Sequence, residues 1–323
     1  MNQTNHTANS LSRTTHPVAG IHHVTAVASN PRRNIAFYTE ALGLRLVKKT
    51  VNFDDPSAYH LYYGDESGAP GSIVTFFYWP DYAGKGRIGS GQTTALSFSA
   101  PAGSLDAWAL RLSAKGISTQ RIQRFGEDLL TLVDPDGIPV ELVAVAADER
   151  HRWSGAAVPA NLALRGLHTA VLTVRDGKST ESLLTREMGY RLVRREGSRA
   201  RFEAGPGGSG RLADVIFDPS GPQGTGGVGT IHHIAWRVAN DDEQQTMQAR
   251  LTAAGFQVSS VRDRQYFRSI YYRERGGILF EIATDTPGFA VDENPSTLGQ
   301  ALKLPPQFEP ARAEIERALP VLA

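Results

Sequence analysis

Cysteine is absent from all 323 residues. That excludes disulfide frameworks, thiolate nucleophiles, zinc fingers and iron–sulfur clusters, and leaves His, Asp and Glu as the metal-ligating side chains. An excess of one charge is lacking too. Lys and Arg number 34 against 33 Asp and Glu, a formal net charge of +1, whereas a nucleic-acid binder carries a basic excess or stripe. No apolar run approaches the ~18 to 20 residues that span a bilayer. The N-terminal stretch is polar and lacks the apolar core of a secretory signal. These absences lead to the expectation of a cytoplasmic protein with neither nucleic acid nor membrane as partner, preceded by a disordered tail over residues 1–18.

What is present is repetition. Four segments open with a similar strand: GIHHVTAVAS from Gly20, GQTTALSFSA from Gly91, GLHTAVLTV from Gly166 and GTIHHIAWRV from Gly229. Each is followed by an apolar stripe at helical spacing that stops at a glycine, respectively Gly43, Gly116, Gly189 and Gly255. Three short runs rich in Val, Ile, Tyr and Phe then complete each copy, with LRLVKKTVNF, YHLYYG and GSIVTFFYW in the first and FQVSSVRD, SIYYRE and GILFEIAT in the last. The fold class expected is therefore α+β, with four βαβββ modules. A unit this small cannot bury its own sheet face and must pair with another, which gives two curled-sheet, barrel-like domains. The glycines of GPGGSGRLADVIFDPSGPQGTGGVG precede no strand–turn–helix and do not suggest a nucleotide loop.

Superimposing the copies locates the chemistry. Placing the strand starts over one another puts His23 over Thr94, Thr169 and His233. Overlaying the last strands puts Glu141 and Glu281 at one place, with Thr75 near it in the first copy and Asp214 close to it in the third. The first and fourth copies together hold His23, His233 and Glu281; two imidazoles and one carboxylate with the remaining positions open is the non-haem iron(II) arrangement. A structural zinc site is closed by four protein ligands instead. Ligands from the first and fourth copies require these to lie together. The metal-binding domain is accordingly expected to combine residues 19–90 with 229–290, and the second domain 91–148 with 164–220. Residues 291–323 form a C-terminal extension, expected to wrap the pocket or bridge the domains. Neighbours on a strand face opposite ways, so one His of each pair should reach the ion unless a bulge intervenes. Glu141 reads as a relic of duplication, His168 as structural, and His60 stays unassigned.

The chain resembles the vicinal oxygen chelate superfamily, which includes glyoxalases, bleomycin-resistance proteins and extradiol dioxygenases, and within it the four-module hydroquinone ring-cleaving dioxygenases. The resemblance rests on GIHHVTA, FYTEALGLRLVKKTVNFDD with YHLYYGDESGAPGS, IHHIAW, RSIYYRERGGILFEIATDTPGF and LGQALKLPPQF. It implies an Fe(II)-dependent dioxygenase of hydroquinone- or catechol-type aromatics, with Mn(II), Zn(II) or Ni(II) as possible substitutes, and with a small aromatic and dioxygen as partners. It selects the second His of each pair as ligand, leaving His22, His232 and Thr25 as supporting or structural residues, and places Tyr271 and Arg264 in the pocket as catalytic groups. A homo-oligomer is compatible with it. Two alternatives use the same scaffold: a glyoxalase-type lyase or isomerase, which adds a second glutamate where Thr75 stands, and a metal-free sequestering protein.

Overall fold

The structure, a computed structural model, describes residues 18–79, 84–153, 155 and 157–322. Residues 1–17 of the expected tail lie outside them, whereas Val18 is fully buried and donates its N–H to the Met188 carbonyl. The first module runs β1 (Ile21–Ala28), α1 (Pro31–Ile35) continued as a π-helix over Ala36–Ala41, β2 (Arg45–Val51), β3 (Tyr59–Gly64) and β4 (Ile73–Tyr78). The second has β5 (Gln92–Pro101), α2 (Leu105–Ala114), β6 (Gln120–Arg124), β7 (Glu127–Val133) and β8 (Pro139–Val145). The third has β9 (Leu167–Val174), α3 (Gly177–Ser182) continued as a π-helix over Leu183–Glu187, β10 (Arg191–Glu196), β11 (Arg199–Glu203) and β12 (Leu212–Phe217). The fourth comprises β13 (Ile231–Val238), α4 (Asp241–Ala253), β14 (Arg262–Asp263), β15 (Phe267–Arg273) and β16 (Leu279–Pro287).

Local chemistry sets the helix limits. Asn30 and Asn240 accept the N–H of Arg33 and Glu243 as caps, and Pro31 supplies a preset φ at the first position. All four stopping glycines are left-handed, with φ between 74° and 85°. Helix α2 buries Leu105, Trp108 and Leu112 at i, i+3 and i+7, one stripe against the sheet. In the fourth module the expected strand FQVSSVRD shortens to Arg262–Asp263. The Ser259 hydroxyl takes the Tyr271 N–H that a ladder carbonyl would otherwise receive.

Two eight-stranded sheets result, with orders β14-β15-β16-β13-β1-β4-β3-β2 and β10-β11-β12-β9-β5-β8-β7-β6. Each joins two modules through an antiparallel central pair, β1 with β13 and β5 with β9. The outer strands curl round to leave a cup on one face. Pairing also corrects the overlay in the second module. Thr25 pairs with Thr75 and Ser97 with Glu141, so the position matching His23 is Ala95 rather than Thr94. The register shift between Thr93 and Ala95 has its counterpart between Ile21 and His23, so the extra residue lies ahead of the strand pairing, at Gly91–Gln92.

The C-terminal extension runs along β2. Leu302 bridges to Lys49, and Phe289 and Leu298 enter the first cup to pack with Val47, Tyr62 and Phe267. Lys48, fully buried on β2, has Nζ 2.6 Å from Asp292 Oδ1 and in contact with Glu293. The extension ends in α5 (Arg312–Ala318). Among the described residues no helix is long and apolar enough to cross a membrane.

The two halves of the molecule meet at the turn Asp134–Gly137. Asp134 accepts Tyr38 O–H at 3.2 Å through one oxygen and the N–H groups of Asp136 and Ile138 through the other. Burial raises its carboxyl to about 6, so its ionised form is penalised in the fold above that pH and the penalty fades as pH falls toward its unfolded value. Asp134→Asn keeps an acceptor for both N–H groups. Its stability gain over the wild type should be largest at pH 8 and shrink by on the order of 1 to 2 kcal/mol at pH 5, read from urea midpoints. A gain that grows on acidification would contradict this.

Candidate metal centre

Strands β1, β13 and β16 are neighbours, and they bring His23, His233 and Glu281 to one buried spot where one ligating atom from each lies within 4.8 Å of the others. Glu281 Oε2 is 2.9 Å from His233 Nε2 and 3.5 Å from His23 Nε2, and the two Nε2 atoms are 3.4 Å apart. The residues preceding the two histidines explain how these nitrogens are protonated. His22 Nε2 lies 3.1 Å from the Thr284 carbonyl, which can only accept, so Nε2 carries the proton. Burial, reinforced by His23, pushes His22 well below the usual imidazole range, so it is neutral and its Nδ1 is a bare acceptor. His23 Nδ1, 2.8 Å away, must donate to it, which leaves His23 Nε2 as a lone pair. The arrangement repeats at His232, neutral with a pKa lowered by burial to about 3, whose Nδ1 is 2.8 Å from His233 Nδ1.

Two imidazole nitrogens and a carboxylate oxygen therefore converge. Glu281 is fully buried. Its Oε1 accepts from the Ser269 hydroxyl, while Oε2 is buried without a hydrogen-bond donor. Among the described residues no Lys or Arg pairs with Glu281. Such a buried carboxylate lacks a fixed countercharge, and the donor set of two nitrogens and an oxygen fits a divalent transition metal.

The triad opens onto a cavity of about 410 Å³ walled by Phe53, Tyr62, Phe77, Trp79, Phe267 and Tyr271. Arg264 also lines it; its Nε donates to the Tyr271 hydroxyl at 3.2 Å and its Nη2 pairs with Asp54 at 3.0 Å, which holds the guanidinium above its ordinary range. Burial, then the Glu281 charge, push the Tyr271 phenol up, so it stays protonated. Thr25, on the His23 face of β1, accepts from the Thr75 hydroxyl at 2.8 Å. His60 and Tyr62, which sequence reasoning left without a role, also line the cavity; the signal was their i, i+2 spacing in YHLYYG, which puts both on one face. Phe267 was missed as well, and packs at 5.0 Å between centroids against both His22 and His23.

The second cup handles the same positions differently. Asp214 is fully buried and bound by Arg201 at 2.7 Å and Arg199 at 3.2 Å, and Glu141 is bound by Arg124 at 2.7 Å. Where His23 and His233 stand in the first cup, this one has Ala95 and Thr169. His168 hydrogen-bonds Ser209 at 2.8 Å and faces Glu127 at 3.2 Å, far from the triad. Guanidinium groups supply the countercharge here, and no imidazole pair remains to ligate.

Residues 20–142 and 166–282 match the family described as the Glyoxalase/Bleomycin resistance protein/Dioxygenase superfamily. The chain is 44% identical over 300 residues to the Bacillus subtilis protein named "Putative ring-cleaving dioxygenase MhqO", covering 93% of this chain and 95% of that one. It is 34% identical over 309 residues to the "Chlorohydroquinone/hydroquinone 1,2-dioxygenase" of Sphingobium indicum, covering 94% and 96%. A Bacillus subtilis crystal structure at 43% identity superposes with a TM-score of 0.91 over 95% of this chain and 98% of that one. The chain belongs to this superfamily, and within it to the ring-cleaving dioxygenases.

Proposed function

We propose that His23, His233 and Glu281 hold Fe(II), with Mn(II), Zn(II) or Ni(II) as substitutes, and that the chain opens the ring of a hydroquinone- or catechol-type substrate with dioxygen. The observation that carries this is the convergence of two imidazole nitrogens and a carboxylate oxygen on the floor of an aromatic-walled cavity. Bound there, the ion supplies a redox-active centre with open positions for both reactants.

The protein's own groups then orient and exchange protons. The aromatic walls bury the ring and fix its plane. Arg264 places a permanent positive charge beside the cavity, suited to a substrate oxygen that has lost its proton. Tyr271, accepting from Arg264, keeps its own proton to donate to that oxygen. Thr75 occupies the place a fourth carboxylate ligand takes in the lyase alternative, and its hydroxyl is engaged by Thr25 and His60. The sequestering alternative gives no reason for three converging ligand atoms.

Metal analysis of anaerobically purified protein, followed by oxygen uptake on adding hydroquinone and catechol, tests the reading. Near-stoichiometric iron and about one dioxygen consumed per ring are expected. Nickel or zinc with hemithioacetal turnover, or metal-free protein that binds aromatics tightly without consuming oxygen, would overturn it.

A further inference from the structure

The two halves of the first cup carry a tyrosine at related positions with opposite hydrogen-bond polarity. Tyr271 lies opposite Glu281 in the β15–β16 ladder, and Tyr62 lies opposite Thr75 in the β3–β4 ladder. Tyr271 accepts from Arg264, which has no acceptor, so its proton remains available to the cavity. The partner of Tyr62 is His60 Nδ1, 2.8 Å from its hydroxyl. His60 Nε2 faces Thr75 Oγ1 at 2.8 Å, and Thr75 donates its single proton onward to Thr25 Oγ1 at 2.8 Å. Thr75 must therefore accept Nε2–H from His60. With that proton on Nε2, neutral His60 offers Nδ1 as a lone pair and takes the Tyr62 proton. Burial, and then His23 and His233, hold His60 in this neutral form. Packing fixes the ring as well, with Tyr62 at 4.0 Å and Phe77 at 4.4 Å between centroids. The Tyr62 oxygen consequently offers the cavity lone pairs only.

We infer that Tyr62, held in this polarity by His60, accepts a hydrogen bond from a substrate hydroxyl that remains protonated, so that the pair selects ring diols over their mono-ethers. The inference rests on the ring-diol reading above and adds which of the two hydroxyls keeps its proton and where it goes. Tyr62 is the group that touches substrate, and His60 is a positioning residue.

Calorimetric titration of Mn(II)-loaded protein under anaerobic conditions tests this with hydroquinone and 4-methoxyphenol, in which one hydroxyl can no longer donate. The wild type should bind hydroquinone about tenfold more tightly, the equivalent of one buried acceptor left unsatisfied. Tyr62→Phe and His60→Leu should bring the two affinities within about twofold of each other, with manganese content unchanged. His60→Asn, whose Oδ1 replaces Nδ1 as acceptor, should retain the preference. Equal binding of both compounds by the wild type, which needs no variant to fold, would overturn the inference, as would a full preference kept by Tyr62→Phe. Failure of the ring-cleavage reading shows separately, as no oxygen uptake by iron-loaded protein whatever the binding preference.

Discussion

His233→Ala should lower metal retention and oxygen uptake together by more than about a hundredfold, since removing even an outer partner of a ligand costs 10 to 100-fold. The fold should survive. Glu281 Oε2 and the two Nε2 atoms lie 2.9 to 3.5 Å apart, within strands β16, β13 and β1 whose ladders do not depend on these side chains. The metal-free variant should therefore still melt in one cooperative transition, as metal-free wild type does. Metal-loaded wild type should melt above both, by the mass-action stabilisation of a ligand that binds only the folded state. Inductively coupled plasma analysis and thermal scans with and without chelator read these outcomes. Retained metal and turnover in His233→Ala would remove this residue from the ligand set.

Arg201→Leu should do the opposite, taking stability and leaving the metal. It strips the closer of two guanidinium partners from Asp214, which is fully buried, and removes the contact to Glu127. Breaking a buried pair from one side costs about 3 to 5 kcal/mol. For a chain of this length that is a fall in thermal midpoint of roughly 4 to 7 °C. Adding Asp214→Asn should recover part of the loss, because the orphaned charge disappears with it. Metal content and turnover per folded molecule should match the wild type. A loss of metal in Arg201→Leu would mean that the second cup contributes to the centre after all.

These opposite outcomes come from two solutions to one problem. Both cups bury a carboxylate at matching positions, Glu281 and Asp214, each on the strand that runs parallel to a central strand. One cup places arginines around it; the other places two imidazoles. The difference was legible in the sequence at the histidines, because two His-His pairs at equivalent strand starts stand out against Thr94 and Thr169. The arginine partners were not legible. Arg199 and Arg201 look like ordinary surface charges in a strand until the curl of the sheet turns them inward.

The same division runs through the fold. The glycine stops at Gly43, Gly116, Gly189 and Gly255 and the asparagine caps were readable because their chemistry acts within a few residues. The one-residue offset at Ala95 was hidden because the leading glycines Gly20 and Gly91 do not correspond, and only pairing with β8 and β9 fixes the register. The burial of Lys48 was hidden because its partners lie 244 and 245 positions away. The tautomers of His23 and His60 depend on the Thr284 carbonyl and the Thr75 hydroxyl, and no spacing rule points to either.

The antiparallel pairing of β1 with β13 has a consequence for how the polypeptide is born. The outer edge of β1 is complete early in synthesis, yet the segment that saturates its N–H and C=O groups is encoded some 210 codons later. At about 5 to 20 residues per second that edge stays open on the ribosome for roughly 10 to 40 s. An open edge of this kind is a template for any other strand. A message truncated after the second module would release a chain with two such edges, β1 and β5. Two copies could satisfy them by exchanging strands, recreating the four-module arrangement from two half-length polypeptides.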